Sequence, residues 1–101
     1  GFEVNNDDFE LKGGYYQKTY KLKSSDKILK SIDAKVTGID TTGVVIDKDK
    51  INKKVTVKIP RKVMESIADK SVIKVTAYAE YSINTVRIYY QENQRAICNI
   101  K

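Results

Sequence analysis

The side chains that most often carry chemistry are nearly missing from this chain. Histidine is absent, and cysteine occurs once, as Cys98. Without histidine, the commonest general base and the commonest transition-metal ligand are gone. One thiol supplies neither a thiol dyad nor a thiolate zinc site, and it cannot close an internal disulfide. No P-loop, GxGxxG or nucleophile elbow occurs. Acid–base work would fall to carboxylates. Asp33, Asp40, Asp47 and Asp49 are the candidates, each where a turn or solvated face also wants a polar group. Asp47 to Asn52 has the acid spacing that opens a calcium loop. It lacks the glycine and closing glutamate of such a loop, and lysines alternate with its acids. Asn5, Asn6, Asp7 and Asp8 offer further oxygens. Both stretches read better as solvated loops. No metal, cofactor or catalysis is expected.

Aromatic and basic residues give the more suggestive pattern. Tyr78, Arg87 and Tyr89 are expected on the outer face of one hairpin, with Lys74 and Thr76 extending it. Lys54 and Lys58 belong to the outer face of another strand. Binders of single-stranded nucleic acid combine stacking platforms with a positive groove. Tyr15, Tyr16, Tyr20, Lys18, Lys21 and Lys23 form a second such cluster. The plainer account is structural: tyrosine is a preferred strand residue and pairs well across strands. Glu80 on the same face also weakens a polyanion site. Cys98, alternating with Ala96 and Ile100, reads as a small buried hydrophobe.

Charge points the same two ways. The chain carries 19 Lys+Arg against 13 Asp+Glu, a net charge of +6. A basic balance favours an acidic surface or nucleic acid. Yet sixteen of those cations are lysines, the common solvated cation and the poorer one for bidentate phosphate recognition. The lone cysteine leans towards a reducing compartment, though a surface protein built without bridges is compatible. No apolar run approaches the roughly 18 residues of a membrane span. The sequence opens on Gly1 without a leader-like segment, which suggests a processed or excised product.

The elements that must position these residues are strands. One domain's worth of chain, 101 residues, leaves no room for a second domain. Residues 1–14 read as a polar arm or loop closed by Gly13-Gly14, with 15–101 a single β domain. Period-two alternation predicts strands over 15–23, 28–39, 43–47, 54–59, 72–81, 85–91 and 95–100. In the second of these, Ile28, Ile32, Ala34 and Val36 are expected inward. Residues 47–53 read as a charged loop. Pro60, followed by Val63, Met64, Ile67 and Ala68 at helical spacing, predicts one helix over 60–70. Matching inward faces across 72–81 and 85–91 requires an even loop. A turn at Ile83-Asn84 would set Glu80 opposite Arg87 and Tyr78 opposite Tyr89. An odd loop centred on Asn93 would then set Ile88 opposite Cys98.

This order predicts a mainly β fold: a small antiparallel barrel of OB type, five to seven strands with one helix near 60–70. The alternative is an immunoglobulin-like sandwich, with residues 60–70 a helical turn at a sheet crossover. The function expected is a non-catalytic binding module that recognises a protein partner or forms part of a larger assembly or surface protein. A single-stranded nucleic-acid-binding domain is the second reading, and an acid–base enzyme using loop carboxylates the third.

Overall fold

The computed structural model describes residues 1–24, 28–83 and 86–95, of which 82–95 are described by backbone alone. Among the described residues seven strands form: β1 Glu10–Lys12, β2 Tyr15–Lys21, β3 Ile28–Thr37, β4 Val45–Asp49, β5 Lys54–Pro60, β6 Lys74–Ile83 and β7 Val86–Arg95. Every pairing is antiparallel. The fold is mainly β, as the alternation requires.

The strands divide into two sheets, ordered β1-β2-β5-β4 and β3-β6-β7. This replaces the expected barrel. Closure would need strand 28–39 paired on both sides, whereas β3 pairs with β6 alone among the described residues. The observed division is the strand order of a seven-stranded immunoglobulin constant-type sandwich. Alternating sequence looks the same in a barrel and a sandwich. The crossovers decide between them, and here β2–β3, β3–β4 and β5–β6 each change sheet.

One core lies between the sheets. Tyr16, Tyr20, Val55, Val57 and Ile59 come from one; Ile32, Val36, Val75, Ala77, Ala79 and Tyr81 come from the other. The lead-in contributes too: Phe2 and Phe9 are buried in the same cluster, β1 pairs with β2, and Phe2 bridges Leu22.

Four local differences from the sequence expectation have identifiable causes. First, Ile28 points outward and is 73% exposed. The β3–β6 register runs Leu29↔Tyr81 and then Ser31↔Glu80. Lys30 is thus an extra residue, a bulge that moves Leu29 inward and turns Ile28 out. Second, the helix is only α1, Arg61–Glu65. Ser66 Oγ donates to the Val63 carbonyl at 2.7 Å, the acceptor that Ile67 N–H would use in a continuing helix. Ile67 N–H turns to Met64 instead, and after Asp69 caps Ser71 a 3-10 turn, Lys70–Val72, leads into β6.

Third, β7 pairs with β6 one pleat away from the expected register. Ile83 pairs with Val86 and so belongs to the strand instead of the expected turn. Glu80 faces Tyr89, Ser82 faces Arg87 and Tyr78 faces Gln91. Face matching fixes only the parity of a register, and that parity holds. The same strand runs on to Arg95, through the expected turn at Asn93. The strand expected to follow, with Cys98, extends outside the described residues. Fourth, β4 reaches Asp49, into the stretch read as a charged loop.

The β4–β5 turn that remains contains Lys53 at φ 55, in the left-handed region. A side chain there costs roughly 1 kcal/mol relative to glycine. Lys53→Gly should therefore stabilise the domain by up to about 1 kcal/mol, read as a higher urea midpoint at unchanged slope.

Helix α1 is tied to β2 by a second device. The Tyr16 hydroxyl donates to Glu65 Oε2 at 2.8 Å, and Arg61 Nε lies 3.1 Å from both Glu65 oxygens. The hydrogen bond from Tyr16, then that from Arg61, holds the Glu65 carboxyl below the usual glutamate range. A carboxyl depressed in the folded state stabilises above its unfolded pKa, and that contribution fades as pH falls through the folded value. Tyr16→Phe should raise the Glu65 pKa, measured by side-chain NMR titration.

Candidate functional site

The sheets leave a groove where the edge of β4 meets the outer face of β3 and β6. It encloses about 260 Å³ and is lined by Lys30, Ser31, Ile32, Asp33, Lys48, Lys50 and Tyr78. Asp33 is its centre. One carboxylate oxygen accepts the backbone N–H of Ala34 at 2.7 Å. The other accepts the Tyr78 hydroxyl at 3.2 Å and lies 3.3 Å from Lys48 Nζ. Register explains the Tyr78 contact, since Asp33 and Tyr78 are direct cross-strand partners. Lys48 reaches in from the other sheet. Asp33 thus links β3, β6 and β4, and covers part of the β3 edge.

A second pair lies on the same face. Lys30, the bulged residue, places Nζ 3.4 Å from Glu80 Oε1. The bulge aims Lys30 at this partner, a use of irregularity that alternation cannot show.

Of the residues singled out by sequence, Lys54 and Lys58 lie on a different sheet from Lys74 and Tyr78. Tyr78 lines the groove, but its hydroxyl is engaged by Asp33. Lys74 is exposed at the far end of β6, paired in register with Arg95. Arg87 and Tyr89 occupy β7 positions on the same face as Tyr78 by register, while their side chains lie outside the described residues. Lys54 and Lys58 belong to the outer face of the other sheet, directed away from Tyr78 across the core. Lys58 is also held by Asp47 at 2.7 Å. In the second cluster, Tyr16 and Tyr20 are buried in the core and present no stacking face.

Lys18, which interrupts the apolar face of β2, has a structural setting. It sits opposite Val57, and its Nζ lies 5.4 Å from the centre of the Tyr20 ring. Burial pushes its ammonium pKa down, while Asp7 and Asp8 push it up. The acidic lead-in therefore neutralises a cation on an inward face. Those same acids border a larger concavity of about 630 Å³, floored by Phe9, Leu11 and Tyr16.

The candidate carboxylates serve separate local networks. Asp40 accepts from Thr42 N and Oγ1 at 3.0 and 2.6 Å, which holds its carboxyl below the usual range. Asp49 accepts from Asn52 N and Nδ2 at 3.0 and 2.8 Å, with the same effect. Asp47 faces Lys58, and Asp33 holds the groove. Among the described residues, no three metal-ligating side chains gather at one point, and no helix is long and apolar enough to cross a membrane.

Comparison with known protein families, curated proteins and solved structures finds no match to this chain. The sandwich strand order is accordingly an architectural likeness, which fixes no function.

Proposed function

We propose that this chain is a non-catalytic interaction module that recognises a protein partner, or a neighbouring domain of a larger assembly, through the outer face of β3 and β6 beside the β4 edge. The observation that carries this reading is the charge compensation of that face. Lys30 meets Glu80, and Lys48 meets Asp33, which also holds Tyr78. Such a surface is mixed in sign and ordered in advance, which suits the mixed polar surface of a protein and gives register to docking. A nucleic-acid strand asks for something different: uncompensated cations along a track and free aromatic faces.

A photo-crosslinking side chain at Lys35, exposed on β3, tests the reading. We expect a discrete protein adduct from this position, weakened by Tyr78→Ala, and none from a crosslinker at Lys54 on the opposite sheet. Fluorescence anisotropy with a labelled single-stranded oligonucleotide is the counter-test. Tight binding at low salt that weakens as salt rises would replace the protein-partner reading with the polyanion one.

A further inference from the structure

The most exposed large apolar residue in the described part of the chain is Ile51, at 91%. It stands at the tip of the turn between β4 and β5, and the local bonding holds it there. Asp49 accepts both the backbone and side-chain N–H of Asn52, and Lys53 N–H reaches the Lys50 carbonyl. The turn is thus fixed on either side of Ile51, with its side chain in solvent. A fixed apolar tip is a different object from a scattered surface isoleucine, which needs no explanation.

Its neighbours are cationic. Lys48, Lys50, Lys53 and Lys54 belong to the same hairpin, whose acids are Asp49 and Asp47, the latter held by Lys58. Lys21 pairs with Lys54, and Leu22 N–H donates to the Lys53 carbonyl, which brings Lys21 and Lys23 alongside. Glu3, whose N–H donates to the Lys21 carbonyl, adds one acid here. Lys48 is paired with Asp33. No ion pair forms at Lys21, Lys23, Lys50 or Lys53 among the described residues.

We propose that this hairpin tip docks onto an anionic lipid bilayer, with Ile51 entering the interface and the surrounding lysines meeting the headgroups. Charge complementarity selects the surface, because clustered lysines near an acidic leaflet each contribute attraction that falls off within a Debye length. The apolar tip selects lipid over a phosphate strand, since an isoleucine offers a nucleic-acid backbone nothing and offers the acyl boundary apolar area. A single inserted side chain gives weak, reversible attachment, so both parts are needed.

The chain contains no tryptophan, so Ile51→Trp installs a unique fluorescent reporter at a position too exposed to disturb the fold. With vesicles of phosphatidylcholine plus phosphatidylserine, its emission should move to the blue and be quenched by brominated acyl chains. Phosphatidylcholine vesicles alone should leave it unchanged, and added salt should reverse the shift. In co-sedimentation of the otherwise unaltered chain, Ile51→Ser and Lys50→Gln should each lower partitioning by roughly five-fold. Val72→Ser, at the opposite end of the sandwich, should have no effect. Failure to bind the acidic vesicles, binding without a tryptophan shift, or oligonucleotide capture dependent on the same lysines would each overturn the proposal. Lys50 also lines the groove, whereas Ile51 does not, so the Ile51 variants read the tip alone and the groove reading does not fall with them.

Discussion

Gly38→Ala is expected to destabilise the domain by about 3 kcal/mol or more, well beyond the usual cost of a surface substitution. Gly38 follows the last residue of β3 and has φ +90, a conformation side chains rarely adopt. That alone costs about 1 kcal/mol or somewhat more. The larger part is steric. An alanine Cβ would lie 2.0 Å from the carbonyl oxygen of Val72 and 2.9 Å from its carbonyl carbon. Both are backbone atoms of the turn that delivers the buried Ile73 to the core. Neither can rotate away, so the end of β3 and the start of β6 must separate where Thr37 pairs with Lys74. Gly14→Ala supplies the control. Its φ is +81, but a Cβ there meets nothing within 4 Å, so only the conformational cost of about 1 kcal/mol applies. Urea denaturation of the two variants separates the cases. Equal losses would mean that the close approach to Val72 carries no energy.

This contact also shows what alternation could and could not reveal. Val55, Val57 and Ile59 read inward from sequence and are fully buried, as are Ile73, Val75 and Ala79. Period two is a property of each strand and survives any arrangement of sheets. The choice between barrel and sandwich is a property of crossovers, where Gly38 meets Val72 and where Ser66 ends α1 against Val63. Neither contact leaves a periodic trace. The bulge at Lys30 did leave a faint one: Ile28 and Leu29 are consecutive apolar residues in an alternating strand, a doublet that marks a break in phase.

The candidate site was less legible, for a physical reason. Tyr78 and Asp33 both read as outward residues of their strands, one as a stacking platform and the other as a candidate acid. Their contact depends on the β3–β6 pairing, and β6 is distant from β3 in sequence. Lys48 lay in a stretch that reads as a loop because an edge strand carries charge on both faces. The site is assembled from one residue on each of three strands in two sheets. Composition could suggest its ingredients, and only tertiary pairing brings them within 3.3 Å.

The same reasoning applies most strongly at the N-terminal side. Phe9→Ala should cost about 3–5 kcal/mol, the range for removing a buried phenylalanine. In sequence Phe9 is a single aromatic between Asp8 and Glu10, in a run that reads as a polar arm. In the structure it is 2% exposed and joins a core cluster with Phe2, Tyr16 and Tyr20. If the lead-in were only an arm resting on the domain, truncating Phe9 would free the arm and leave global stability nearly intact. If Phe9 is part of the shared core, its loss leaves a cavity beside β2 and lowers the single cooperative transition. Val4→Ala, with Val4 79% exposed in the same segment, should change stability by less than about 0.5 kcal/mol. Thermal and urea unfolding of both variants distinguish the two pictures. A Phe9→Ala protein with unaltered midpoint and a protease-sensitive N-terminal segment would demote residues 1–14 to an accessory. A fully cooperative but much weakened transition would make them a structural part of the sandwich, with Lys18, Asp7 and Asp8 the charges that fasten it down.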